Sequence, residues 1–256
     1  MIKKFPSKIL LFGEHIINKG ANGLAMPFYA YFSRLSFEQN DLSIQESKLV
    51  LQLIFSQIKN TSSLFPLFDL DTFQTDIEKG LLINMNIPIG YGLGSSGAIC
   101  AGVYDAYAKD KNKTPQELKT ILGGMEAAFH GKSSGLDPLV SYLEKSVLVT
   151  QNKTEINDFD LKSINEFHVF LIDTKQARKT APLVNLFLET YTSNSVFAQK
   201  VENKIIPLTN DIIKDFLDQN LENTYTKIEQ LSALHLENFK FLILEKHLGL
   251  NLQLLP

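Results

Sequence analysis

The clearest chemical potential in this chain lies in one run, Pro88-Ile-Gly-Tyr-Gly-Leu-Gly-Ser-Ser-Gly-Ala98, which holds four glycines and two serines. Glycines let backbone N–H groups approach a ligand closely, and a helix start adds unpaired donors and a favourable dipole. The chemistry implied is phosphate binding. It requires a strand in front and a helix behind. Leu81 to Ile87 alternates Ile83, Met85 and Ile87 against Asn84 and Asn86, the pattern of a half-buried strand. Ser96 to Lys109 is small, apolar and free of proline, and reads as a helix.

Which phosphate loop this is can be narrowed. Gly92-Leu-Gly-Ser-Ser-Gly97 spells G-x-G-x-x-G. A dinucleotide fold, however, needs a second parallel strand ending in an acidic residue about twenty positions on. Here that position falls near Thr114, with no strand in between. A P-loop needs Lys-Ser/Thr after its glycines, and Ser95-Ser96 follows Gly94 without a lysine. A glycine turn without a ligand remains as the plain folding reading, but so many glycines and serines at a helix start are hard to explain by folding alone.

The elements around the loop follow from pattern and punctuation. Lys8 to Phe12 reads as a strand ending at Gly13-Glu14-His15, and Ala25 to Phe37 as a second, aromatic-rich extended stretch. Lys48 to Lys59 reads as a helix. Thr114-Pro-Gln-Glu117 is a capping box with proline at its first helical position, opening a helix to about Phe129. Gly131 to Gly135 is a loop, Leu136 to Leu143 a short helix and Ser146 to Thr150 a strand. Asn152 to Ile164 is polar and irregular and suits a domain boundary. Phe167 to Asp173 then reads as a buried strand, and Thr180 to Tyr191, Ser195 to Leu217 and Leu221 to Glu245 as helices. Thirteen of the 14 glycines lie at or before Gly135, so tight turns belong to the first half.

The bulk numbers exclude several partners. A net charge of −3 leaves no electrostatic footprint for nucleic acid or anionic membrane. The run Lys109-Asp-Lys-Asn-Lys113 is a solvated loop. Cys100 is the only cysteine, which rules out an internal disulfide and fits a reducing compartment; among small residues it reads as a buried, inert thiol. Ile9 to Phe12 is too short for a signal sequence, and nothing approaches the roughly 18 apolar residues of a membrane span. A cytoplasmic protein is expected.

Four blocks carry a resemblance. Pro88 to Ala98 is similar to the P-x-x-x-G-L-G-S-S-A-A signature of the GHMP small-molecule kinases, with Gly97 in place of an alanine. Lys8-Ile-Leu-Leu-Phe-Gly-Glu-His15 resembles the N-terminal block of the mevalonate kinase branch. Glu126 to Asp137 resembles its E-x-x-x-H-G-x-P-S-G-x-D block, with Ser133 where proline is usual. Asp173-Thr-Lys-Gln-Ala-Arg-Lys-Thr180 is similar to its T-K-x-x-R-x-T segment. The blocks run in the expected order from residue 8 to about 180.

The resemblance implies an α+β fold of two domains, the first ribosomal protein S5 domain 2-like and the second ferredoxin-like and truncated, divided as 1–160 and 161–256. It implies ATP and Mg²⁺, with mevalonate as the small-molecule acceptor. Gly90, Gly92, Leu93, Gly94, Ser95, Ser96 and Gly97 would bind the nucleotide, and Ser96 with Glu126 the metal. Helix capping is the plain alternative for Ser96. Asp137 would be the general base and Lys8 its ionic partner. Glu14, His15, Arg178 and Thr180 would meet the acceptor, Arg178 by a bidentate grip on a carboxylate. A buried structural role stays open for His15. His130, His168 and His235 have no metal-like spacing.

One family feature is absent. These kinases carry a second glycine-rich run near the C-terminus, and this chain has no glycine between Gly135 and Gly249. With Met1 in place, the expectation is a chain shortened at its C-terminus, whose apolar unfinished sheet edge would favour self-association as a homodimer. A different acceptor (phosphomevalonate or a sugar), or a non-catalytic nucleotide-binding relative, are the alternatives.

Overall fold

The glycine-rich first half folds around a single sheet. A computed structural model describes residues 3–37, 44–151, 153–159 and 180–242. The chain falls into two compact units, residues 1–11 with 24–178, and residues 12–23 with 179–256.

In the first unit, β1 (Phe5–Phe12) neighbours the long strand β2 (Gly23–Ser36), which also pairs with β3 (Leu82–Met85) and β4 (Ser146–Val149). The β2–β3 pair is antiparallel, with Leu35 opposite Ile83. All four β3 residues are buried, so this strand is not the half-exposed one that its alternation suggests. Asn84 tolerates burial because its amide donates to the Ser36 hydroxyl, while Asn86, just past the strand, is exposed and accepts from the Phe32 N–H at 2.7 Å.

The polar stretch expected to be irregular around 152–164 holds a fifth strand, β5 (Thr154–Asn157), antiparallel to β4 with Val147 opposite Ile156. Its side chains are half-buried or exposed, as befits an edge strand. The expected strand at Phe167–Asp173 lies outside the described residues.

Helices pack on this sheet. α1 (Ile44–Asn60) buries Leu51, Ile54 and Ile58 along one stripe. α2 (Leu70–Glu78), which the sequence reading passes over, is started by Asp69, whose side chain accepts from the Thr72 N–H. It buries Phe73 and Ile77, and Phe73 stacks on Tyr107 at 4.4 Å. α3 (Ser95–Tyr107) is the central helix, buried on nearly every face from Gly97 to Tyr104. That is why its sequence is small and apolar without a polar stripe. α4 (Pro115–His130) and α5 (Leu136–Leu143) flank it.

The second unit is helical where described. It comprises α6 (Thr180–Ser193), α7 (Ser195–Lys200), α8 (Ile206–Leu217) and α9 (Leu221–Asn238). The single helix expected over 195–217 is interrupted by a π-helical turn at Val201–Ile205. Pro207 follows at once in the first turn of α8; it has no N–H for the ladder, and the wider turn absorbs the mismatch. The helix expected over 221–245 ends at Asn238, followed by a 3-10 turn at Lys240–Leu242. Phe187, Phe197, Val201, Ile205 and Ile212 form the core, joined by Ile16 and Ala21 of the 12–23 segment. No helix among the described residues is long and apolar enough to cross a membrane.

Candidate active site

Four elements of the first unit bring their ends together. The glycine loop leaves β3 and enters α3 through Gly90, Gly92 and Gly94, with φ of 82°, 74° and 73°. It is fastened to β1, where the Lys8 N–H donates to the Leu93 carbonyl at 3.0 Å. The Leu93 side chain is buried with Phe5, Ile87, Ala98 and Ala101. Gly94 is the N-cap of α3 in left-handed conformation; no side chain caps this helix, and its first turn has no acidic residue. The N–H groups of Ser95, Ser96 and Gly97 are the donors such a helix leaves over.

Directly beneath Gly94 lies an ion pair. Lys8, 8% exposed, places Nζ 3.1 Å from Asp137 Oδ1. A Cβ on Gly94 would stand 2.9 Å from Lys8 Cγ and 3.4 Å from Asp137 Oδ2. The loop therefore runs close over the lysine stem and its carboxylate partner, leaving no room for a side chain at Gly94 unless Lys8 shifts. Gly97 answers a second close approach. A Cβ at that position would lie 2.7 Å from the Pro138 nitrogen and 2.8 Å from the Asp137 carbonyl carbon, so α3 and the start of α5 touch backbone to backbone. Glycine in place of alanine is thus matched to the local packing.

Glu126, on α4, is 4% exposed. Its Oε1 accepts from the Ser96 hydroxyl at 2.8 Å and its Oε2 from the Ser133 hydroxyl. Burial, and next the negative charge of Asp137, push its carboxyl up to about 7; the two serine hydrogen bonds and Lys8 pull the other way. Cys100, wholly buried, has its thiol pushed up by burial and by Glu126, so it is no nucleophile.

The structure brings together Lys8, Gly94, Ser96, Glu126 and Asp137. Glu14 and His15 belong to the second unit, in the turn before the 3-10 helix Ile16–Lys19. His15 has φ 65° and its ring stacks on Phe187 at 5.8 Å, while Glu14 Oε1 stands 3.9 Å from His15 Nε2. Thr180 is the first residue of α6. Arg178 and His168 lie outside the described residues. The residue that motif matching underrates is Ser133, whose only signal was its departure from the usual proline.

Glu126 and the Ser96 hydroxyl form an all-oxygen donor set, with no group of three His, Cys, Asp or Glu among the described residues able to hold a metal alone. That suits a hard cation such as Mg²⁺, which takes one or two carboxylates from a protein and completes its shell with phosphate and water.

Comparison with known proteins bears on the same residues. Residues 57–145, which contain the glycine loop, Glu126 and Asp137, match the family model described as the GHMP kinases N terminal domain. This stretch is similar to that domain. The chain is also similar to a protein named mevalonate kinase from Methanocaldococcus jannaschii, 29% identical over 224 residues, covering 78% of this chain and 70% of that protein. A mevalonate kinase of Thermococcus sibiricus is 27% identical over 157 residues, which span 53% of this chain and 47% of the relative. The chain thus matches about half the length of one relative and about seven tenths of the other. Among solved structures, that of L. major mevalonate kinase in complex with R-mevalonate superposes with a TM-score of 0.59 at 16% identity, covering 94% of this chain and 76% of that one. The mixed helical and antiparallel-sheet architecture is the GHMP kinase fold, as expected.

Proposed function

We propose that this chain is a kinase that binds ATP with Mg²⁺ and transfers the γ-phosphoryl group to the 5-hydroxyl of mevalonate, a step of isoprenoid precursor synthesis. The observation that carries the reading is the closeness of Gly94 to the Lys8–Asp137 pair, since it sets the uncapped start of α3 beside a carboxylate held by a buried lysine. The choice of mevalonate is supported by the names of the relatives and by the ligand named with the L. major protein.

Phosphoryl transfer needs positioning and neutralisation of charge more than covalent help. The N–H groups of Ser95, Ser96 and Gly97 cradle the phosphate oxygens. Asp137 takes the proton from the acceptor hydroxyl as its oxygen bonds to the γ-phosphorus; the bond from phosphorus to the β,γ-bridging oxygen breaks, and ADP leaves with that electron pair. Lys8 holds Asp137 in place through their ion pair and faces charge building on the transferred group. Ser96 and Glu126 would hold Mg²⁺, which would supply charge neutralisation on the nucleotide's phosphates. Glu14, His15, Arg178 and Thr180 bind the acceptor, Arg178 through its carboxylate. The first unit is the ATP-binding domain, in a cytoplasmic protein whose lone thiol stays reduced.

The test is ATP turnover, coupled to ADP release, with mevalonate, phosphomevalonate, homoserine and galactose in parallel. Turnover with mevalonate is expected, and Asp137→Asn is expected to lower kcat by about 10²–10⁴-fold with ADP binding retained. Nucleotide binding without turnover of any acceptor would make the chain a non-catalytic binder; turnover of another panel member alone would change the acceptor.

A further inference from the structure

Ser133 has no part in the reading above, yet its hydroxyl makes two hydrogen bonds where they matter. It donates to Glu126 Oε2 and accepts from the Gly135 N–H at 2.9 Å. Ser96 serves the other carboxylate oxygen at 2.8 Å. Each oxygen of Glu126 therefore meets one hydroxyl, and the two hydroxyls come from different elements: the first turn of α3 and the turn between α4 and α5. Gly135 is in turn the N-cap of α5, whose second residue is Asp137. The Ser133 hydroxyl thus ties a buried carboxylate on one helix to the turn that delivers the carboxylate on the next.

The terminal torsion of a glutamate is soft, so a single hydrogen bond leaves the plane of the carboxylate free to swing. Two donors from opposite sides fix it, and each oxygen keeps a lone pair for a cation. Proline, usual at this place in the resembling block, has neither a hydroxyl to give Glu126 nor an oxygen there to receive the Gly135 N–H. This chain has replaced a rigid residue with a hydrogen-bonded one. We propose that Ser133 is a positioning residue that aims the Glu126 carboxylate at its divalent cation, sharing that task with Ser96. The inference rests on the reading of Ser96 and Glu126 as the cation site of a nucleotide-binding kinase.

The test uses Mn²⁺ as the probe, with the full chain and ADP, reading free Mn²⁺ by its paramagnetic resonance so that no turnover is required. Ser133→Ala is expected to weaken Mn²⁺ binding about 10-fold or more, the usual cost of losing a partner that orients a ligand. Ser133→Thr, which restores the hydroxyl, is expected to stay within about 2–3-fold of the parent, since the donor is kept. In turnover, Ser133→Ala should raise the Mg²⁺ concentration for half-maximal rate and leave kcat at saturating Mg²⁺ within about twofold, because a positioning residue touches no reacting atom. If Ser133→Ala does not fold, Ser133→Cys, of the same shape with a weak S–H donor, is read in its place.

Parental Mn²⁺ affinity in a folded Ser133→Ala protein, with affinity lost in Glu126→Gln, overturns the role of Ser133 and leaves the cation site standing. Equal Mn²⁺ binding by the parent and Glu126→Gln overturns the site itself and this inference with it.

Discussion

Helix α4 carries two glutamates that do opposite things. Glu117, in its first turn, is solvated; its carboxylate accepts from the Thr114 N–H at 2.8 Å and from the Thr114 hydroxyl at 2.7 Å, bonds that hold its carboxyl below the ordinary value. Glu126, near the other end, is buried, and burial with Asp137 holds its carboxyl up at about 7. The same contrast separates the helix starts. α4 opens with a complete capping box, so its own side chains occupy its donors, whereas α3 opens at Gly94 with neither a capping side chain nor an acid. One region is built so that the protein satisfies itself. The other leaves helix donors uncapped beside a buried carboxylate, an arrangement that suits the proposed ligand, at some expense to stability.

The largest break in this contrast comes from Glu126→Gln. The sign follows from the raised carboxyl. In the unfolded chain Glu126 ionises near the ordinary glutamate value of 4.5, and in the folded protein at about 7. Its contribution is therefore fully present below pH 4.5 and is lost as pH rises through 7. The ligand-free parent should lose up to about 3 kcal/mol between pH 5 and pH 8 from this group, and the glutamine variant should not. Urea melts at the two pH values check this, with the variant expected to be the more stable at pH 8. Turnover should fall by more than about 100-fold, since a direct cation ligand matters at least as much as the partners that orient it. A variant less stable than the parent at pH 8 would mean that Glu126 is an ordinary buried hydrogen-bonding residue.

How much of this was legible beforehand depends on the range of the interaction. The capping box, the glycine loop and the bounds of α3 and α5 depend on neighbours a few residues apart, and local pattern gave them nearly to the residue. Lys8 is far in sequence from Glu126 and Asp137, and only the resemblance joined it to them; no periodicity places Lys8 under Gly94. Features set by tertiary surroundings were read wrongly or not at all. Asn84 looked outward until Ser36, on the neighbouring strand, gave it a partner inside. The polar residues of β5 looked irregular because an edge strand needs no apolar alternation. α2 was passed over although Asp69 and Thr72 stand at capping distance, and the tight fit of Gly97 against Asp137 and Pro138 is visible only once α5 is packed.

A smaller effect sharpens the contrast from the side of α3. Ser95→Asp gives this helix the acidic first turn that α4 already has. The added charge should favour the helix itself by about 0.3–1 kcal/mol, raising the melting temperature slightly. It should also repel the phosphates that the same turn is proposed to hold, weakening ADP binding about tenfold or more. Calorimetric titration with ADP and a thermal melt read the two effects separately. Unchanged ADP affinity would remove the first turn of α3 from the phosphate site.

The smallest expected effect belongs to the self-satisfied end. Thr114→Ala removes the hydroxyl that accepts from the Glu117 N–H and donates to the Glu117 carboxylate, at a cost of about 1 kcal/mol. It changes nothing at Ser96 or Glu126, so ADP and Mn²⁺ affinities should stay at the parental values while the melting temperature drops. The pH dependence should run opposite to that of Glu126. The Glu117 carboxyl is held low in the folded protein, so its stabilisation is present above the unfolded value of 4.5 and fades as pH falls through the folded one. Parent and Thr114→Ala should therefore draw together in acid, when both have lost an ionised cap. If their separation instead persists unchanged at the lowest pH where the protein folds, the capping box acts through the Thr114 hydroxyl alone. The opposition between the two glutamates would then be one of burial without a matching opposition of charge.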